Sequence, residues 1–213
     1  MIPTEPEGYI SIIGMSYLHP ITSLIEVLEA SNPQGPNEVQ ASPYENGYSI
    51  AIIVLSVLML ESILSRTQYV RGGNPPKKPI EFIRSAFPTS EIANILEELF
   101  VVRDVIAHNH VWDARFQWDE TAGMKFISAQ LVGGYGDTKH RRVLDPTNRL
   151  SRILGINLFP TRICRDDAII VLKKSVEVLL FLEGESRNYC YISPQPVKYR
   201  SNIIDFVELV RSL

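Results

Sequence analysis

The chain has 213 residues, of which 45% are hydrophobic and 21% are charged, a balance typical of a globular protein with a sizeable core. The formal net charge of −3 excludes the class of nucleic-acid-binding proteins that are strongly basic over their whole length. The sequence has neither linker-like nor low-complexity segments, so we expect a single domain over residues 1–213.

Three features predict a soluble protein of the cytoplasm. The N-terminal residues include Glu5 and Glu7 where a secretory signal carries Lys or Arg, so no export signal is expected. The most apolar segment, residues 50–64, is interrupted by Glu61 and is shorter than the roughly 18 residues of a membrane span, which indicates a buried helix. Cys164 and Cys190 lie far apart without metal-ligand spacing, so we expect reduced thiols, no metal site and no cofactor.

The apolar periodicity predicts a mainly α protein. Helices are expected over residues 9–28, with an interruption at Pro20, and over residues 45–70, where apolar residues on nearly every side indicate the central helix of a bundle. A third helix is expected to begin near Ser90, with Glu91 in its first turn. Its apolar stripe consists of Ile92, Ile95, Leu96, Leu99, Val102 and Ile106.

Beyond this helix the period changes from helical to alternating, which predicts a β-hairpin over residues 113–131. Residues 132–163 read as a long irregular connection with a short helix near residues 148–154. A fourth helix is expected from Asp166 or Asp167 to a stop at Gly184, and a last one over residues 201–213. The predicted fold is a helical bundle with an inserted β-hairpin.

The candidate for chemistry lies at the end of the third helix. Arg103 occupies a position of the stripe where the helical period requires an apolar residue, so its guanidinium is expected to face a neighbour and not bulk water. Such a charge is costly to bury unless it is paired or used, and arginine is well suited to holding a phosphate. His108 and His110 follow, and histidine exchanges protons near neutral pH. These residues could form a phosphodiester site.

Each of these residues also has a structural interpretation. Arg103 could pair with Glu97, with Glu98 or with a carboxylate elsewhere in the chain. The segment from His108 to His110 could cap the helix, because an imidazolium is favourable at the negative end of the helix dipole. The residues alone leave both interpretations open.

A second feature is the charge of residues 139–174, which include nine Lys or Arg and three Asp or Glu. This local excess could belong to a nucleic-acid-binding surface or to an ordinary solvated surface.

Arg103, Asp104, three further residues and His108 resemble the signature of the HEPN domains, which are helical bundles. Their motif is Arg, four to six residues and His, usually with a polar residue directly after the Arg. The match ends a helix that follows a long apolar helix bearing Glu61, an arrangement similar to the core helix pair of that family. The resemblance covers residues 45–112 and the helix from Asp166.

The resemblance implies a metal-independent endoribonuclease of a toxin–antitoxin or antiviral defence system. RNA would be the substrate, and a homodimer would place two motifs in one cleft. Arg103 would grip the scissile phosphate, His108 would act as base or acid, and Asp104 would have an orienting role. Partners would be a second copy of the chain and an antitoxin or other defence-system protein. The alternative is a non-catalytic HEPN-like module that binds RNA or a nucleotide or acts as a scaffold.

Asn109 and His110 are additional candidate site residues. His110 fits the six-residue spacing of the motif. We favour His108, because the polar Asp104 followed by three residues matches the shorter, four-residue form of the motif. In one branch of the family a tyrosine stands two residues after the histidine and is modified by a nucleotidyltransferase antitoxin. His110 occupies that position here, so this mode of neutralisation is not expected.

Overall fold

The computed structural model describes residues 13–35, 39–72, 78–108, 111–121, 123–132 and 138–213. These residues form a mainly α protein, as predicted. The helices are α1 (Leu18–Ala30), α2 (Glu45–Val70), α3 (Pro79–Ala86), α4 (Ile92–His108), α5 (Thr138–Val143), α6 (Arg165–Glu185) and α7 (Phe206–Ser212). The strands form three antiparallel pairs, namely β1 (Trp112–Asp119) with β2 (Gly123–Leu131), β3 (Leu144–Asp145) with β4 (Leu150–Ser151), and β5 (Pro196–Tyr199) with β6 (Asn202–Asp205).

Helix α2 is the central element, and it packs against α1, α3, α4 and α6. Its buried apolar side chains lie on several faces, as expected for the middle of a bundle: Ile52, Ile53, Val57, Met59, Leu60, Ile63 and Leu64. Among the described helices, α2 alone is long and apolar enough to cross a membrane by length and composition. Half of its most apolar window is buried inside the fold, and the core helix of a soluble protein meets the same criterion.

At the N-terminal side, the predicted helix over residues 9–28 begins later than expected. A 3-10 helix, Ile13–Tyr17, precedes α1, and residues 9–12 lie outside the described part of the chain. Pro20 is the third residue of α1. Its missing N–H therefore falls in the first turn, where a helix has no acceptor for it, so the proline marks a helix start.

Two short helices were missed by the sequence analysis. Helix α3 begins with Pro79 and buries only Phe82 and Ile83. Two apolar residues are too few to show a helical period in the sequence. Helix α5 is rich in basic residues and buries Val143. It lies within the predicted irregular connection.

The prediction of a short helix near residues 148–154 is wrong. Those residues include β4, which pairs with β3 through a turn in which the Asp145 carboxylate accepts N–H bonds from Thr147 at 2.9 Å and Asn148 at 3.5 Å. Arg149 has a φ of 60°, a left-handed conformation that interrupts a helix. Local turn chemistry therefore prevails over helical propensity here.

The C-terminal helix is also shorter than predicted. Residues 202–205 form β6, joined to β5 by a turn in which Arg200 and Ser201 have φ values of 46° and 68°. The Asp205 carboxylate then caps α7 by accepting N–H bonds from Val207 at 3.0 Å and Glu208 at 3.2 Å. Helix α6 continues through Gly184 to Glu185, one residue past the expected stop.

Strands β1 and β2 lie between α4 and α5 in the chain, where alternation was seen in the sequence. Their base is fixed to the body of the protein, because the Trp112 indole donates a 2.7 Å hydrogen bond to the Leu158 carbonyl and the Phe126 ring meets the Phe159 ring at 5.5 Å. Their far end is open, with Trp118 69% exposed. The HEPN type of the bundle, and the status of this pair as an insertion into it, stay predictions.

Candidate functional site

Arg103 lies in the last two turns of α4, at the border between the buried face of the helix and solvent. Its neighbours Val102 and Val105 are fully buried, whereas the Arg103 side chain is 21% exposed. The apolar stripe thus brings a guanidinium to the edge of the core, as the helical period of the sequence indicated.

Two carboxylates hold this guanidinium. Arg103 Nε donates to Asp104 Oδ1 at 2.7 Å, and Arg103 Nη1 donates to Glu61 Oε2 of α2 at 3.1 Å. The guanidinium carbon also lies 5.9 Å from the centre of the Phe100 ring. Asp104 therefore contacts Arg103 directly, and Glu61 adds a second contact from another helix.

A second cation joins from α5. Lys139 Nζ lies 3.4 Å from Asp104 Oδ2, so Asp104 bridges the arginine and the lysine. We refer to Glu61, Arg103, Asp104 and Lys139 as the Arg103 cluster. Two positive and two negative side chains alternate in it, and three helices contribute them.

The charge of Arg103 is permanent. Burial disfavours the cation, but the charges and hydrogen bonds of Asp104 and Glu61 outweigh that cost and raise the pKa of Arg103 above its ordinary value. A group that starts at such a high pKa stays protonated throughout the range in which proteins work. The site therefore offers a fixed positive charge, oriented by carboxylates and partly open to solvent.

His108 is the last residue of α4 and is exposed. It lies five positions after Arg103, with four residues between them, which on an ideal helix means a rotation of about 140° and a rise of about 7.5 Å. Asn109 and His110, the additional candidates, lie outside the described residues. Arg103, Asp104 and His108 therefore share one helix end, with the arginine at the core edge and the histidine at the tip.

The two glutamates proposed as alternative partners of Arg103 have other contacts. Glu97 pairs with Arg84 of α3 at 2.7 Å and with Arg142 of α5. Glu98 is fully buried and accepts N–H bonds from the backbone of residues 153 and 154 at 2.9 and 2.6 Å. Arg103 instead pairs with Glu61, which lies 42 residues away in the sequence. The third alternative, a carboxylate elsewhere in the chain, is therefore the one observed.

The basic region of residues 139–174 is divided among several neighbours. Besides the contacts of Lys139 and Arg142, Arg165 pairs with the buried Glu45 at 2.9 Å, and Lys174 pairs with Glu177 at 2.6 Å. Arg149 stacks at 4.7 Å over the Phe126 ring. Much of the local excess of charge is therefore used to join elements of the fold, an outcome that sequence counting does not distinguish from a binding surface.

Sequence reasoning missed two members of the cluster, Glu61 and Lys139. Glu61 was noted only as an interruption of an apolar segment and as part of the resemblance, and Lys139 only as the first residue of the basic region. An acidic residue in an otherwise apolar central helix was a usable signal, since such a charge needs a partner nearby. Within the described residues, no group of three or more His, Cys, Asp or Glu side chains is arranged to hold a metal ion.

No protein-family model, no curated protein and no solved structure matches the chain. Function is therefore inferred from the residues at the end of α4 and from their resemblance to the HEPN motif.

Proposed function

We propose that this chain is a metal-independent endoribonuclease of HEPN type that acts in a toxin–antitoxin or antiviral defence system of the cytoplasm. The observation that carries the proposal is the Arg103 guanidinium, which is permanently charged, oriented by Asp104 and Glu61, and 21% exposed at the helix end that also carries His108. A fixed cation of this kind stabilises charge that develops on phosphoryl oxygens, and a nearby imidazole moves protons.

The RNA supplies the nucleophile in this reaction. An imidazole, assigned to His108, removes the proton of a 2′-hydroxyl, whose oxygen attacks the adjacent phosphorus and forms the new P–O bond. The bond between the phosphorus and the 5′-oxygen breaks, and the leaving oxygen takes a proton from a histidine imidazolium. The products are a 2′,3′-cyclic phosphate and a free 5′-hydroxyl, and Arg103 stabilises the negative charge of the transition state.

The catalytic unit in this proposal is a homodimer. His108 lies about 140° around the helix from Arg103, so one helix end does not direct both side chains to one point on the same face. Two copies related by a two-fold axis would place the arginine of each copy near the histidine of the other. Light scattering at micromolar concentration should report a dimer, and a monomer would contradict the composite cleft.

A direct test uses the purified full chain, a labelled single-stranded RNA and a chelator. Cleavage should persist in the chelator and leave a 2′,3′-cyclic phosphate, whereas DNA should stay intact because it lacks the 2′-hydroxyl. An Arg103→Lys variant, which keeps the charge but loses the planar fork, should be clearly impaired. Activity that requires added magnesium, or cleavage at a 2′-deoxy position, would rule this mechanism out.

A second candidate function is a non-catalytic module that binds RNA or a nucleotide or acts as a scaffold. The observation that favours it is the charge balance of the Arg103 cluster, in which Glu61 and Asp104 neutralise Arg103 and Lys139. Such a balance is what a purely structural ion-pair network has. RNA binding without cleavage by the wild-type chain, with equal affinity in an Arg103→Ala variant, would favour this candidate.

A further inference from the structure

The geometry of the guanidinium limits how a phosphate reaches it. Arginine offers two edges for paired hydrogen bonds to an anion, one formed by Nε with Nη2 and one by Nη1 with Nη2. In this structure Asp104 accepts from Nε and Glu61 accepts from Nη1. Each edge therefore includes one donor nitrogen that already binds a carboxylate, and an anion that takes two parallel hydrogen bonds competes with that carboxylate.

The two carboxylates are not equally held. Asp104 makes the shorter contact, 2.7 Å, is 24% exposed, and its second oxygen lies 3.4 Å from Lys139 Nζ. Glu61 makes the longer contact, 3.1 Å, is 41% exposed, and belongs to a different helix. Glu61 is thus the weaker and more accessible of the two partners, because solvent screens an exposed pair and the side chain can turn away.

We propose that Glu61 is a displaceable counter-ion, which occupies the phosphate-binding edge of Arg103 and gives way when RNA binds. This inference rests on the proposed function, since it takes the RNA phosphate as the ligand of Arg103. Glu61 competes with the phosphate, whereas Asp104 keeps the arginine oriented for it. The two carboxylates on the same arginine therefore have opposite effects on affinity.

The proposal predicts that removing the negative charge of Glu61 strengthens RNA binding. A Glu61→Gln substitution keeps the shape of the side chain and leaves a weaker neutral acceptor. Since an exposed ion pair contributes little, the gain in affinity should be about twofold to fivefold. Asp104→Asn should instead weaken binding, because Arg103 loses its charged hydrogen-bond partner and Lys139 loses its ion pair.

The experiment measures fluorescence anisotropy of a labelled 2′-O-methyl oligoribonucleotide, which has no free 2′-hydroxyl to attack and stays intact. The full-length proteins are wild type, Glu61→Gln, Glu61→Ser, Asp104→Asn, Arg103→Ala and the Arg103→Ala/Glu61→Gln double variant. Glu177→Gln is the matched control, because Glu177 is a 53% exposed, ion-paired carboxylate on α6. Circular dichroism establishes that each variant is folded.

Tighter binding by both Glu61 variants, an unchanged control, and loss of the gain in the Arg103→Ala background would support the proposal, since the coupling then runs through Arg103. If Arg103→Ala weakens binding but the Glu61 variants bind no more tightly than wild type, the role of Glu61 is overturned and the proposed function stands. If Arg103→Ala binds as tightly as wild type, the proposed function itself fails, because Arg103 does not contact the RNA.

Discussion

The middle and the C-terminal end of α4 both carry charged side chains, but the two parts use them differently. In the middle, Glu97 and Glu98 are buried, and their oxygens are bound by side chains and backbone N–H groups of other elements. At the C-terminal end Arg103 and Asp104 are about one fifth to one quarter exposed, and His108 is open to solvent. The same helix therefore has charged side chains inside the fold and charged side chains at its surface.

The difference separates two roles of a charged residue. A buried carboxylate whose acceptors are satisfied inside the protein contributes to stability, and its loss leaves donors without partners. A partly exposed cation with a more exposed partner contributes less to stability and is accessible to a ligand. We therefore expect substitutions in the two parts of α4 to affect different measurements.

The largest expected effect is on activity at the C-terminal end. Arg103→Ala should lower the rate of RNA cleavage by about a hundredfold to a thousandfold, the typical cost of removing one charge-stabilising donor. His108→Ala should also abolish activity, because the reaction loses its proton carrier. For both variants the free energy of unfolding should change by less than about 1 kcal/mol. A large drop in the melting temperature of either variant would indicate that the substituted residue has a structural role.

The second effect is on stability in the middle of α4. Glu98→Ala should lower the free energy of unfolding by about 2–3 kcal/mol, because two backbone N–H groups of the 144–163 segment lose a charged acceptor inside the protein. Urea denaturation followed by circular dichroism measures this change. Glu91→Ala, an exposed residue just before the same helix, is the control and should cost less than about 0.5 kcal/mol. Equal effects of the two substitutions would show that the buried contacts of Glu98 do not set it apart from an exposed carboxylate.

The third effect tests how Glu97 is held. Arg84 and Arg142 are 45% and 56% exposed, so each single alanine substitution should cost less than about 1 kcal/mol while the other arginine still pairs with Glu97. The double substitution should lower the free energy of unfolding by more than the sum of the two single substitutions, because the buried carboxylate then lacks both cations. Urea denaturation of the three variants gives this comparison, and simple additivity would show that Glu97 does not depend on either arginine.

The smallest effect concerns pH. The pKa of Arg103 is raised by Asp104 and Glu61 despite its burial, so the protonated form prevails below that raised value and is lost only in strongly alkaline solution. The ratio of RNA affinities of wild type and Arg103→Ala should therefore stay constant between about pH 7 and about pH 9. Anisotropy titrations with the 2′-O-methyl probe measure it. A steady decline of the ratio over this range would mean that a different group supplies the charge.

The sequence was informative where one helix carries the whole pattern. The apolar stripe of α4 predicted that the Arg103 guanidinium would face a neighbour and not bulk water, and α2 was predicted with its observed bounds. Both results follow from the helical period, which places residues three and four apart on one face. The Arg103–Asp104 contact is likewise local, between neighbours in the chain.

The rest of the site depends on long-range packing. Glu61 is 42 residues from Arg103, and Lys139 is 35 residues from Asp104. No local periodicity encodes which of many charged residues meets which. The errors at the C-terminus have another cause. Arg200 and Ser201 adopt left-handed conformations that glycine usually supplies, so the turn before β6 carried no clear sequence signal.

Strands β1 and β2 connect α4 to α5, so the chain leaves the Arg103 cluster after His108 and returns to it at Lys139. The packing of α5 on α4 holds together the two ends of the segment that contains β1 and β2. The exposed turn residues Glu120 and Thr121 take no part in that packing. The entropy of closing a loop grows only with the logarithm of its length, about 0.6 kcal/mol for each doubling. The tip of the hairpin is therefore a place where a peptide tag or a fluorescent reporter can be spliced into the chain while both helix ends keep their positions.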